Sequence, residues 1–145
     1  MSKIEELINK LCPDGVEVVK LNDIFDIKNG YTPSTKEKTF WENGIIPWFR
    51  LDDIRENGQV LNNSIRHVTP AAIRGKINKA NYLIIATTAT IGVHALITVD
   101  SIANQQFTIL NLNDNYHNKF NIKFLYYYFF KVDEYCLKIL KNGAY

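Results

Sequence analysis

The sequence predicts a single α+β domain: a mixed or antiparallel twisted sheet with short helices, closed by an aromatic C-terminal helix. Three observations carry that prediction. The uncharged run over 80–99, ANYLIIATTATIGVHALITV, is long enough to cross a membrane, but it holds Asn81, four threonines, Gly92 and His94. Its β-branched residues fit two strands and a tight turn better than a transmembrane helix. Over 121–140, Ile122, Leu125, Tyr126, Phe129, Val132, Cys136 and Ile139 keep helical spacing, and the cluster YYYFF wraps more than one face. Finally, 145 residues with 46% apolar and 22% charged side chains make one ordinary domain with its own core.

Taken in order, Ser2 and Glu5 form a capping-box pattern at the head of a helix whose apolar face is Ile4, Leu7, Ile8 and Leu11. Cys12-Pro13-Asp14-Gly15 ends it. Val16 to Leu21 reads as a short strand, and a helical turn follows near Asn22 to Phe25. Asn29 to Ser34 is a loop bent by Gly30 and Pro33, and it continues through Thr39. Ile45 to Leu51 reads as a strand, Asn57-Gly58 as a turn and Gln59 to Leu61 as a return strand. Thr69-Pro70 marks a helix start that Gly75 stops. The remaining strands are Tyr82 to Thr88, Gly92 to Val99 and Gln106 to Leu112, before the closing helix.

Net charge is only +2, but it is unevenly spread. Between Glu56 and Asp100 there is no carboxylate, while Arg66, Arg74, Lys76 and Lys79 lie inside, together with His67 and His94. A basic middle on a nearly neutral domain is the footprint of a surface facing a polyanion, or else an ordinary solvated face. Cys12 and Cys136 are far apart, with no metal-ligand spacing near the three histidines, and read as small buried or half-buried thiols. No secretory signal opens the chain, so the cytoplasm is the expected compartment.

Catalytic signatures are missing. There is no phosphate-cradling glycine loop, no G-x-S-x-G, no H-E-x-x-H and no Pro-Pro pair. The carboxylates Asp52 and Asp53 have no acid-x-Lys partner downstream, and strand neighbours point to opposite faces. One is expected to cap the following turn and the other to pair with Arg50 or Arg55. No metal site and no catalytic residue are assigned. The inventory suits DNA better: Lys and Arg for phosphates, and Gln, Thr, Ser and Arg for base edges.

The order of motifs then matters. IKNGYTPST, the Trp41-Glu-Asn-Gly44 turn, IIPWFRLDDI, TPAAIRG, YLIIATTATIG, ANQQF and an aromatic helix ending in NGAY succeed one another. This resembles the target recognition domain of a type I restriction–modification specificity subunit, across nearly the whole chain. Thr88 stands where the family usually has a glycine. The resemblance implies a non-catalytic component that reads one half of a split double-stranded DNA target. Methylation and cleavage then belong to partner methyltransferase and restriction subunits, which use S-adenosylmethionine, ATP and Mg²⁺; this chain carries no cofactor. Residues 1–145 form one recognition domain with the closing helix at about 121–140, without spacer helices or a second recognition domain. A second copy or second domain would read the other half, and no membrane is involved. By chemistry and position, Lys36, Arg66, Arg74, Lys76 and Lys79 are the phosphate candidates. Tyr31, Thr32, Ser34, Arg50, Thr88, Thr90 and Gln106 are the base-edge candidates. Gly30 and Pro33 shape their loop, and Trp41 and Trp48 are core residues rather than stacking platforms. Two other readings stay open: a scaffold domain using the aromatic helix, and a non-catalytic fragment of a methyltransferase or nuclease.

Overall fold

The computed structural model describes residues 2–88 and 90–141. Ala89 in the A-T-I-G turn and the terminal NGAY lie outside the described residues. Helix α1 (Lys3–Leu11) has the expected capping box, Ser2 with Glu5. Its apolar face buries nothing: Ile4, Leu7, Ile8 and Leu11 are all exposed. The segment after it turns at Pro13-Asp14 and then forms no strand, and Val16 and Val18 face solvent. The expected strand over Val16 to Leu21 is therefore absent, because β-branching favours an extended backbone without supplying a partner.

A short helix α2 (Leu21–Ile24) leads into strand β1 (Phe25–Asn29). The strands that follow are β2 (Ile46–Phe49), β3 (Val60–Leu61), β4 (Arg66–Val68), β5 (Tyr82–Ala86), β6 (His94–Ile97), β7 (Ile102–Ala103) and β8 (Phe107–Leu112). They form a five-stranded sheet in the order β1-β8-β5-β6-β3 and a three-stranded sheet in the order β4-β2-β7. In the larger sheet only the β3–β6 pairing is parallel; in the smaller one β2–β7 is parallel and β2–β4 antiparallel. Strands β5 and β6 make the hairpin expected from the uncharged run.

Alternation along the strands builds two cores. Tyr82, Ile84, Ala86, Phe107 and Ile109 face Phe49 and Ala103 from the smaller sheet, with Leu51 just beyond β2. On the other face Leu83, Leu110 and Leu112 meet Leu125, Tyr126 and Phe129 of helix α4 (Ile122–Lys141). The larger sheet is thus the middle layer, and each buried Leu, Ile or Phe among these contributes roughly 1.5–3 kcal/mol. A third cluster, Trp48, Val68, Ala72 and Ile102 with Tyr31, Phe40 and Trp41 against them, lies over the smaller sheet.

Helix α4 is locked down by a group the sequence did not announce. His94 is fully buried, so this residue of the basic segment cannot face a polyanion. Its Nε2–H donates to the Tyr126 carbonyl at 2.8 Å, and its Nδ1 lies 2.5 Å from Asp133 Oδ2. The outer side of α4 leaves Phe124, Tyr127, Tyr128 and Tyr135 exposed.

Candidate nucleic-acid interface

The smaller sheet carries a cation–aromatic surface. A turn through Asn43, at φ 59°, and Gly44 brings Trp41 beside the sheet; a Cβ on Gly44 would collide with the His67 backbone. Ser64 Oγ accepts the Trp48 N–H at 3.1 Å and donates to the Arg66 carbonyl, setting the pairing of β2 with β4. Trp48 is buried, and Trp41 packs edge-on to it with centroids 5.1 Å apart. The expectation that both are core residues holds for Trp48. Trp41 is only half-buried and also carries a cation.

Three guanidinium groups rest on these rings and on Tyr31. Arg66, opposite Trp48 in the register, lies 4.1 Å from the Trp41 centroid and 5.3 Å from that of Trp48. Arg50 is 5.5 Å from the Trp48 ring, and Arg74 is 4.9 Å from that of Tyr31. Stacking of this kind fixes an arginine without neutralising it.

The adjacent carboxylates beside this surface are both engaged within the fold. They lie in the first turn of helix α3 (Leu51–Asn57), not in a strand as expected. Asp53 is fully buried; its oxygens accept the Arg50 N–H at 2.8 Å and the Ile65 N–H at 2.6 Å. Asp52 sits 3.4 Å from Arg50 and 3.5 Å from Arg55. One carboxylate caps and the other pairs, which is the division of labour expected of them. Among the described residues no group of three or more His, Cys, Asp or Glu could hold a metal ion. Burial pushes the Cys136 thiol up, away from the thiolate a nucleophile needs.

The glycine–proline loop is tied to the same surface. A Cβ on Gly30 would collide with the Asn104 and Ala103 carbonyls, so glycine is required for this approach. Tyr31 donates its N–H to the Ala103 carbonyl at 2.9 Å and accepts the Trp48 indole N–H on its own carbonyl at 3.0 Å. Its hydroxyl accepts the Arg74 N–H at 2.9 Å. Pro33 is buried, while Ser34 and Lys36 are exposed.

From there a hydrogen-bonded chain runs toward the β5–β6 hairpin. The Thr32 hydroxyl donates to the Gln105 side chain. Gln105 and Gln106 occupy a turn ahead of β8 rather than the strand itself. The Gln106 side-chain oxygen accepts from Asn104 Nδ2 at 2.9 Å, and its carbonyl accepts the Thr87 N–H at 3.1 Å. Thr88, exposed, and Thr90, half-buried, belong to the hairpin turn.

The two lysines of the basic segment fall elsewhere. With Lys28, Asp26, Asp114 and His117 they line a separate open cavity of about 410 Å³. Lys79 lies 3.4 Å from Asp100, whose carboxyl is held below its ordinary range chiefly by accepting the Ala80 N–H. The Lys76 carbonyl accepts from Lys28 Nζ at 3.4 Å, and burial pushes the Lys28 ammonium down. Sequence reasoning passed over Lys28, which carries no local signal, read Trp41 only as a core residue, and read Asp100 only as the end of the acid-free stretch.

Two packed sheets and a closing helix define the class as an α+β domain, and the arginines seated on rings with polar loops beside them make its smaller sheet a candidate polyanion-facing surface. More specifically, the chain belongs to the family described as type I restriction modification DNA specificity domain, whose family model matches residues 13–144. It is 50% identical over 141 residues to the specificity subunit of the type I restriction enzyme EcoprrI of Escherichia coli, covering 95% of this chain and 34% of that protein. The MjaIX specificity subunit of Methanocaldococcus jannaschii is 28% identical over 139 residues, covering 91% and 31%. The fold is shared with the HsdS subunit from Thermoanaerobacter tengcongensis: TM-score 0.59, 15% identity, 92% of this chain and 33% of that one. The chain therefore spans about a third of the length of the curated relatives it matches.

Proposed function

We propose that this chain reads one half of a bipartite double-stranded DNA target within a type I restriction–modification specificity subunit, and makes or breaks no bond itself. The stacking of Arg50, Arg66 and Arg74 on Trp48, Trp41 and Tyr31 is the observation that carries the reading. Lys36, Arg66, Arg74, Lys76 and Lys79 supply phosphate contacts, which set affinity and register. Tyr31, Thr32, Ser34, Arg50, Thr88, Thr90 and Gln106 supply base-edge contacts. For Gln106, the bond from Asn104 to its side-chain oxygen leaves the NH₂ as an oriented donor for a purine edge. Methyltransferase and restriction subunits act on the DNA so located, in the cytoplasm, with S-adenosylmethionine, ATP and Mg²⁺ held on their side. A second copy or second recognition domain reads the other half.

The test is a salt titration of duplex binding. The logarithm of affinity falls linearly with the logarithm of salt, by about 0.9 per neutralised phosphate. A lone half-site reader binds weakly, near non-specific strength, so the titration begins at low salt. Absence of binding there favours a second reading, a protein-interaction domain, for which the outward aromatics Phe124, Tyr127, Tyr128 and Tyr135 argue. Turnover of DNA by this chain alone with Mg²⁺ or S-adenosylmethionine overturns the non-catalytic assignment.

A further inference from the structure

Trp41 is counted above among the residues that fill the third cluster, yet every part of it is engaged with the candidate interface. Its Nε1–H donates to the Ser34 carbonyl at 2.9 Å, which pins the glycine–proline loop. Its edge meets Trp48 at an interplanar angle of 78°. Its face carries the Arg66 guanidinium at 4.1 Å, nearer than Trp48 does at 5.3 Å. The turn behind it is itself fixed, because the Thr69 hydroxyl and N–H donate to the Thr39 and Phe40 carbonyls. Among the described residues no carboxylate lies within ion-pair distance of Arg66.

That combination has a physical meaning. An exposed arginine samples many rotamers and loses that freedom when it grips a ligand. A carboxylate would hold it in place, but would cancel the charge that a phosphate needs. An aromatic face holds the guanidinium through its quadrupole and leaves the positive charge and the in-plane N–H donors available. Here the ring that holds Arg66 is locked on three sides: by the loop, by Trp48 and by its own turn. The seat is rigid before any ligand arrives.

We propose that Trp41 is a positioning residue for DNA binding: with its ring anchored through the indole N–H on the Ser34 carbonyl, it holds the Arg66 guanidinium flat and charged so that it meets a backbone phosphate of duplex DNA. This rests on the recognition reading above and deepens it. Trp41 touches no DNA in this proposal and acts through Arg66.

The experiment is fluorescence anisotropy of a mixed-sequence duplex titrated with the chain at several salt concentrations. The variants are Arg66→Ala, Trp41→Phe, Trp41→Leu and the double variant Trp41→Leu/Arg66→Ala. Arg66→Ala binds about tenfold more weakly, and its salt slope is shallower by about 0.9. Trp41→Leu, apolar but without a π face, loses about fivefold, whereas Trp41→Phe stays within about twofold of the parent. On the Arg66→Ala background the leucine substitution costs nothing further, since the residue it positions is gone. Should the leucine variant melt below the titration temperature, Trp41→Met, more adaptable in a partly filled core, replaces it. Equal losses for leucine and phenylalanine, or a leucine loss that persists without Arg66, overturn the proposal while the recognition reading stands. A parent chain whose binding is absent or indifferent to salt overturns the recognition reading, and this proposal with it.

Discussion

Arg66 and Lys79 belong to the same acid-free stretch of sequence, yet the fold gives them different neighbours. Arg66 stands on Trp41 and Trp48 with no carboxylate in reach among the described residues. Lys79 stands 3.4 Å from Asp100, beside a cavity that also holds Asp26 and Asp114. In the sequence each is one positive charge. On the surface the first is presented to solvent at full strength, and the second is partly cancelled by its ion pair. Charge counted along a chain is therefore a poor guide to the field over a face. What matters is whether the fold seats a cation on a ring or beside an acid.

The contrast can be broken most forcefully at Asp53, whose carboxylate holds the entry to the stacked end. Asp53→Ala strands the Arg50 and Ile65 N–H groups and is expected to lower stability by about 3 kcal/mol in urea unfolding. A loss under about 1 kcal/mol would mean that the β2–α3 junction is held by something else. Next comes the direct comparison of cations. Arg74→Ala, which removes the guanidinium over Tyr31, should weaken duplex binding by about fivefold to tenfold for every sequence alike. Lys79→Ala should weaken it by less than about threefold, with a smaller change in salt slope. Equal losses at both positions would erase the distinction between a cation seated on a ring and one beside an acid.

A smaller and sharper effect concerns which bases are preferred. Gln106→Ala should leave mixed-sequence affinity within about twofold and relax preference at one base position, read from a randomised-duplex selection. The smallest effect is at Asp100. Its carboxyl is held below the ordinary value of 3.8, chiefly by the Ala80 N–H, so its contribution to stability is full at neutral pH. That contribution is lost as pH falls below about 4 and through the lowered value. Asp100→Asn should flatten that acid decline of the melting temperature and, by freeing Lys79, raise duplex affinity by up to about twofold at low salt. An unchanged acid decline would remove Asp100 from the account.

Local chemistry was legible where neighbours in sequence decide the outcome. Ser2 with Glu5 capped a helix as the pattern requires. Thr69-Pro70 opened a helical turn, although it closed as a single 3₁₀ turn over Pro70–Ala72 well before Gly75. The spacing in α4 named Leu125, Tyr126 and Phe129, which are buried, and Ile122, Val132, Cys136 and Ile139, which are half-buried, but it missed the buried Asp133. Strands β4 and β7, of three and two residues, were missed because their pairing, not their composition, makes them strands. Helix α1 shows the opposite failure. It has a strong apolar stripe, yet among the described residues that stripe buries nothing, so periodicity announced a helix and not a packing partner.

By itself the sequence determined the α+β class, the hairpin, the closing helix and the family's order of motifs, because these follow from spacing, capping and turn residues acting over a few positions. Only the tertiary structure decided which charges count. It stacked Arg66 on Trp41, paired Lys79 with Asp100, hid His94 against Asp133 and committed Asp53 to two backbone N–H groups. Each of those outcomes joins residues from separate segments. A side chain's charge, exposure and freedom are properties of the neighbours that the folded chain brings to it.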